Sequence, residues 1–202
     1  MIDGSIISVL EIGNGKRELA LCRIDDMEKS SKDEILCALE KLNTLAHSEY
    51  REDFFDTFMA LGGIYRLLTF LTNPNNMDDK EYVALVYNVM CPFDENDFRI
   101  ISDDGARKMA KQLVELNGIQ TILLANKKYT DGNDIDILRA VKSIWGLLLE
   151  VVEFASDILD KEQALAVVDA ALDTIPLLKD VNNDAHRILE SMFATLWSTM
   201  TL

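Results

Sequence analysis

A short apolar motif recurs along the chain, and its regular spacing restricts the possible folds more than any other feature of the sequence. The copies are LGGIYRLL (61–68), LNGIQTIL (116–123), a weaker LDTIPLLK (172–179) and a partial GSIISVL (4–10). Their isoleucines lie 58, 55 and 56 residues apart, at Ile6, Ile64, Ile119 and Ile175. A recurring period of this kind indicates supersecondary units that stack on one another.

Each full copy of the motif lies between two stretches with helical periodicity. The glycine pair at 62–63 interrupts an apolar stretch, where each glycine weakens a helix by about 1 kcal/mol relative to alanine. Its presence indicates that one helix ends and another begins there. Amphipathic stretches precede the motif at 50–60, 105–115 and 161–171, and longer helices follow it. The predicted unit is a short helix, a sharp turn, a second helix, a loop and a third helix.

These units predict an all-α fold in one domain covering residues 1–202. The chain has only nine Gly and three Pro, too few for the many tight turns of an all-β fold. The predicted divisions are a partial N-terminal repeat at 1–48, repeat 1 at 49–92, repeat 2 at 105–155 and repeat 3 at 160–202.

The segment 6–24 allows two interpretations. Its Asn-Gly dipeptide lies between apolar runs, which is typical of a β-hairpin. The register of the repeat instead makes 5–12 a second helix, and we favour the helix, with the hairpin as the alternative.

The motif and its surroundings resemble the armadillo repeat, in which a turn of Gly-Gly-Ile-Pro type separates the first and second helices. The resemblance is carried by FMALGGIYRLLTFL (58–71), YVALVYNVM (82–90), LVELNGIQTILL (113–124) and LDTIPLL (172–178), and it covers most of 31–202. It implies a right-handed helical solenoid of about three three-helix repeats plus the partial N-terminal repeat. The period here is longer than the roughly 40–47 residues usual for such repeats.

The resemblance also implies where a partner would bind, because the third helices of an armadillo solenoid line its concave face. Peptide-binding members carry there a Trp and, four residues later, an Asn that clamp an extended peptide. Only Asn88 matches the Asn position, and Ala84 stands where the Trp would be. Small residues on this side predict a shallow groove, with a plain solvated surface as the alternative. The predicted partner-binding residues are Glu81, Ala84, Asn88, Arg139, Ser143, Gly146, Glu150, Arg187 and Ser191.

No residue pattern indicates catalysis, a metal or a cofactor. His47 and His186 are far apart and belong to no zinc-binding pattern. DGNDID (131–136) begins like a calcium loop, but Ile135 stands at the fifth position and Asp136 where the glycine belongs. No phosphate-binding glycine motif is present. We therefore predict that the protein is not an enzyme.

The charge is strongly acidic, with 35 Asp and Glu against 20 Lys and Arg, a formal net charge of −15. Such a surface repels nucleic acid and anionic membranes and attracts basic protein segments. The alternative is that the acidic residues serve only solubility. Cys22, Cys37 and Cys91 form no CxxC pair, and no signal peptide is visible, which predicts reduced thiols in an intracellular protein. The resemblance to armadillo proteins implies the cytoplasm or nucleus.

These observations predict a non-catalytic scaffold or adaptor that binds a peptide or helical segment of a partner protein. The alternative is a structural or regulatory domain excised from a longer multidomain protein and self-associating through exposed repeat ends. That alternative is motivated by FATLWSTMTL (193–202), which is apolar and lacks the polar cap that solenoids need for solubility.

Overall fold

The amphipathic stretches of the sequence form helices in the computed structural model, which describes residues 10–13, 16–19, 31–48, 51–91, 93, 99–130, 135–178, 190, 192–195 and 197. Two short strands come first, β1 (Leu10–Gly13) and β2 (Lys16–Leu19). The helices are α1 (Lys32–Ala46), α2 (Arg51–Ala60), α3 (Gly63–Thr72), α4 (Pro74–Asp78), α5 (Lys80–Met90), α6 (Asp103–Glu115), α7 (Gly118–Tyr129), α8 (Ile135–Phe154) and α9 (Lys161–Thr174). The predicted helical class is thus confirmed for most of the described chain.

The two strands pair antiparallel, with Leu10 opposite Leu19 and Gly13 opposite Lys16. The helix that we favoured over 5–12 is therefore wrong at residues 10–12, and residues 5–9 lie outside the described part. The Asn-Gly dipeptide in the sequence favours such pairing, since both residue types tolerate the positive φ angles of tight hairpin turns. The antiparallel pairing agrees with the alternative interpretation, a hairpin.

Helix starts are fixed by side-chain caps. Ser31 and Glu34 form a capping box at the start of α1, where the Ser31 backbone N–H donates to Glu34 Oε2 at 2.8 Å. Hydrogen bonds from the backbone and then the hydroxyl of Ser31 lower the pKa of Glu34. A second capping box, Asp160 with Gln163, starts α9. Each box satisfies backbone N–H groups that would otherwise lack a partner at the helix start.

The corners before α3 and before α7 have the same backbone conformation. Gly62 before α3 has φ 71°, and Asn117 before α7 has φ 59°, both in the left-handed region. The next residue in each corner is a glycine with no room for a side chain. A Cβ on Gly63 would lie 2.3 Å from the Phe58 ring, and one on Gly118 would lie 2.9 Å from the Leu113 carbonyl oxygen. These contacts explain the glycine pair of the motif.

The third copy of the motif has a different corner. Here α9 continues directly into a 3-10 helix, Ile175–Leu178, instead of breaking at a left-handed residue. The motif at this point has Asp173 and Thr174 where the other copies have glycine at one or both positions. A left-handed corner is therefore unfavourable here, and the chain tightens its turn instead.

Helices α1, α5 and α8 pack side by side. α5 lies between α1 and α8, while α6 contacts α2, α3 and α8. α7 contacts α3, α8 and α9, and the buried Asn126 joins α7 to α8 and α9 by hydrogen bonds. One hydrophobic cluster extends through these contacts from Ile35 in α1 to Met192.

Candidate functional site

The predicted partner-binding face begins where α5 meets α8. Asn88 on α5 is half-buried, and its Oδ1 accepts a hydrogen bond from Ser143 Oγ on α8 at 2.9 Å. Ala84 is half-buried one turn before Asn88, and Glu81 is exposed. Glu81 forms an ion pair with Lys32 Nζ at 2.7 Å. The two predicted residues Asn88 and Ser143 therefore hold the two helices together.

The small residue Gly146 lies beneath an aromatic ring of the same chain. Phe93, which follows α5, makes an isolated antiparallel bridge with Arg99. A Cβ placed on Gly146 would lie 3.1 Å from Cδ2 of the Phe93 ring. The space that the missing side chain leaves on α8 is thus occupied by Phe93.

The carboxylate of Glu150 is buried under Arg99. Glu150 is 0% exposed, and its Oε1 accepts a hydrogen bond from Arg99 Nε at 2.9 Å. Arg99 also donates to Glu153 at 3.1 Å and to Asp103 at 2.8 Å. Its guanidinium lies 4.8 Å from the centre of the Phe154 ring. One cation therefore serves three carboxylates and an aromatic face.

This environment changes the ionisation of Glu150. Burial raises the pKa of its carboxyl to about 7, and the positive charge of Arg99 acts in the opposite direction. The second oxygen, Oε2, is buried and has no hydrogen-bond partner among the described residues. A buried carboxylate that is only partly paired takes up a proton more readily than an exposed one.

The predicted residues are therefore distributed over several environments. Ser143, Gly146 and Glu150 are buried, so a covered surface stands where the small residues predicted a shallow groove. Glu81, Ala84 and Asn88 are exposed or half-buried. Arg187, Ser191 and the side chain of Arg139 lie outside the described part of the chain. The assignment of the set to partner binding stays a prediction.

An open apolar pocket lies on another surface, between α3 and α4 on one side and α7 on the other. Its volume is about 370 Å³. Leu71, Pro74 and Met77 line one wall, and Thr121, Leu124 and Lys128 line the other. Leu71 and Met77 are buried, whereas Leu124 is 57% exposed. The pocket thus has a buried apolar wall and an exposed leucine.

One hydrogen bond joins the two walls of this pocket, because the Tyr129 hydroxyl on α7 donates to the Met77 carbonyl on α4. The Tyr87 hydroxyl donates to the Thr121 carbonyl at 3.2 Å and so attaches the α7 wall to α5. Lys128 forms an ion pair with Asp78 beside the pocket. Burial raises the pKa of both tyrosines, so their hydroxyls remain protonated donors. Such a pocket is formed before a ligand arrives.

Sequence reasoning did not find this pocket. A signal was available in α7, where Ile119, Ile122 and Tyr129 form the buried stripe and Leu124 lies on the opposite side of the helix. An isolated exposed leucine is too common for this signal to have been decisive.

The described residues contain no cluster of three or more side chains able to hold a metal ion. No single helix within the described ranges is long and apolar enough to span a membrane. Helices α2 and α3, which meet at 70°, satisfy the length and hydropathy criteria only when they are taken together.

Compared with known proteins, the chain matches no family model, and no curated protein and no solved structure matches it significantly.

Proposed function

We propose that this protein is a non-catalytic interaction module, an armadillo-like right-handed helical solenoid that binds a peptide or helical segment of a partner protein. The stacked arrangement is supported by the packing of α6 on α2, α7 on α3 and α8 on α5, each helix lying against its counterpart one unit earlier. It is further supported by the left-handed residues Gly62 and Asn117, which occupy the same position in two successive corners.

The observation that carries the binding function is the open pocket between α3, α4 and α7. Its volume of about 370 Å³ lies at the lower end of the range of ligand pockets and has room for one large apolar side chain of a partner. Leu124 lies on its exposed wall, where its contact with an incoming side chain would remove apolar surface from water. Anchor residues that fill a pre-formed pocket are the usual centres of protein–protein affinity.

The charge of the chain favours basic partners. A formal net charge of −15 produces an electrostatic field that accelerates the approach of Lys- and Arg-rich segments. The proposed partner segment therefore carries an apolar anchor flanked by basic residues. We extend the proposal to a reducing compartment, the cytoplasm or nucleus, because Cys22, Cys37 and Cys91 form no CxxC pair and the armadillo resemblance implies that location.

The pocket is tested by selecting binding peptides from a displayed random library and measuring their affinity for variants. Leu124→Asp puts a charge into the pocket and is expected to weaken the selected peptides about tenfold or more. Thr69→Asp is the matched control, because Thr69 is exposed at the corresponding position of α3, one unit earlier. Equal affinity of the selected peptides for both variants would show that the binding site lies elsewhere.

The third-helix surface is tested in the same assay with Asn88, Arg139 and Arg187 changed to Ala together. If the selected peptides bind this variant as well as the wild type, the predicted third-helix residues take no part. Failure to select any peptide under repeated rounds would argue against the interaction module itself.

A second candidate function, self-association through a repeat end, is favoured by exposed aromatic side chains near the C-terminal end of the described chain. Phe193 is exposed, and Trp197 is 70% exposed on the same helical stretch. Light scattering across a concentration series distinguishes the two candidates. A constant monomer mass rejects self-association, and a mass that rises in the wild type but not in Trp197→Ser supports it.

A further inference from the structure

The helix α9 has a buried side and an outward side of different character. Val167 and Ala171 are buried on the side where α9 packs on α7. On the outward side, Leu165 is 51% exposed and Leu172 is 58% exposed. The two leucines are seven residues apart, so they lie about 10 Å apart along the helix and within about 20° of each other around it. They form one short apolar stripe facing away from the core.

Acidic residues follow this stripe along one flank. Glu162, Asp169 and Asp173 are all exposed and lie roughly 40–80° around the helix from Leu165, on the same side of it. The basic residue of α9 is Lys161, which is in the first turn. The outward face thus has a stripe of two leucines with three carboxylates along one flank.

The position of Leu165 is apolar and covered in the two preceding units. Counting back by the repeat intervals leads to Met109 in α6 and Phe54 in α2, and both side chains are buried. In α9 the equivalent apolar residue is half exposed. The buried residues Gln163, Val167 and Ala171 of α9 correspond to Arg107, Lys111 and Glu115 of α6, which are exposed or half-buried, so α9 turns a different side to the core and leaves Leu165 facing outward.

We propose that the outward face of α9 docks an amphipathic helix of a partner protein, whose apolar stripe covers Leu165 and Leu172 and whose Lys and Arg residues lie against Glu162, Asp169 and Asp173. Two leucines one heptad apart match the spacing with which helices pack side by side. The occupant is basic because three carboxylates follow the stripe. A second copy of this chain would bring the same carboxylates face to face and is disfavoured.

This surface is distinct from the pocket between α3, α4 and α7, so the two proposals are tested separately. The probe is a synthetic helical peptide of about three heptads with Leu at a and d positions, Lys along one flank and Gln or Ala elsewhere. A second peptide replaces each Lys by Glu. Fluorescence anisotropy of the labelled peptides, at low and at moderate salt, gives the dissociation constants.

The Lys peptide is expected to bind the wild type and to lose about tenfold or more in affinity for Leu165→Ser/Leu172→Ser. Reversing Glu162, Asp169 and Asp173 to Lys is expected to abolish its binding and to permit binding of the Glu peptide. The matched control reverses Glu40, Glu52 and Asp56, three exposed acids on α1 and α2, and changes the net charge equally. This control is expected to retain most of the affinity. Circular dichroism verifies that each variant keeps its helical content.

Five results would overturn the inference, four of them with the wild type and the variants above. These four are no binding to the wild type, unchanged binding to the serine variant, equal loss in the two charge-reversed variants, and a wild-type dimer that the serine variant dissolves. Leu124→Asp separates this inference from the pocket proposal, because it is expected to bind the Lys peptide like the wild type. Loss of that peptide in Leu124→Asp would assign the binding to the pocket. It would contradict the α9 site and leave the pocket proposal standing.

Discussion

The indole Nε1 of Trp145 donates a hydrogen bond to Asn126 Oδ1 at 3.0 Å, in a place where both side chains are buried. The Asn126 amide in turn donates to Thr174 Oγ1 at 2.8 Å. One asparagine thus links α7 to α8 and to the end of α9. Its own orientation is set by these two bonds, since only one placement of the amide oxygen and nitrogen satisfies both.

Replacing this asparagine should destabilise the protein strongly. Asn126→Ala leaves the Trp145 N–H without an acceptor and Thr174 without a donor, and we expect it to lower the free energy of unfolding by about 2–4 kcal/mol. Urea unfolding followed by tryptophan fluorescence measures the change. The control is Gln120→Ala, which alters an exposed amide on the same helix and should stay within about 0.5 kcal/mol. An Asn126→Ala variant as stable as that control would contradict the structural role.

Replacing a glycine that follows a left-handed corner by alanine should destabilise the protein, although it adds only a methyl group. In Gly118→Ala the new Cβ would lie 2.9 Å from both the Leu113 carbonyl oxygen and Leu68 Cδ1, and we expect a loss of about 1–3 kcal/mol. Gly105→Ala is the matched control, because its Cβ would meet nothing closer than 3.4 Å in a helix. Thermal unfolding of the two variants compares them directly. Equal melting temperatures would show that the corner relaxes without cost.

The stability of the protein should rise as the pH falls toward 6. Burial raises the pKa of Glu150 to about 7 in the folded state, against 4.5 as the ordinary value. The folded state therefore binds a proton that the unfolded state has released, and this contribution is complete below about pH 4.5 and lost as the pH rises through 7. With these two pKa values we expect a gain of about 1–1.5 kcal/mol between pH 8 and pH 6.

Glu150→Gln isolates this effect from the general repulsion among the other acidic residues, because glutamine does not titrate in this range. Urea midpoints at several pH values should vary less in the variant than in the wild type. Parallel pH profiles would show that Glu150 is not the group responsible.

Removing only one partner of the ion pair between Arg99 and Glu150 should lower the free energy of unfolding strongly. Arg99→Ala leaves the buried carboxylate without its counter-charge, and at about pH 8 we expect a loss of about 3–5 kcal/mol. Replacing both residues by Leu removes the buried charge as well and should cost much less. A double-mutant cycle in urea measures the coupling. Lys108→Ala, which breaks an exposed pair with Asp104, is the control and should leave the free energy of unfolding nearly unchanged.

The corners of the fold were predictable because their cause is local. A glycine pair followed by Ile64 specifies a break in a helix whatever surrounds it, and the same holds for Gly118 and Ile119. The hairpin at 10–19 was predicted only as the alternative, since the repeat register was preferred to the Asn-Gly signal. Here the turn chemistry prevailed over the distant periodicity.

The candidate site was harder to predict because it depends on contacts between distant parts of the chain. A helical wheel puts Ser143, Gly146 and Glu150 on the polar side of α8. It cannot reveal that Phe93 and Arg99, about fifty residues earlier, cover that side. The burial of Glu150 follows from this long-range contact alone.

The position of α5 between α1 and α8 has a consequence for how the protein opens. Among the described helices, detaching α1 breaks contacts with α5 on one side of the layer formed by α1, α5 and α8, whereas releasing α5 requires separation from both α1 and α8. Amide hydrogens of α1 should therefore exchange with deuterium through local fraying, and those of α5 only when the whole chain unfolds. The least protected helix is then the one nearest the edge of the layer, although it is as regular as the central one.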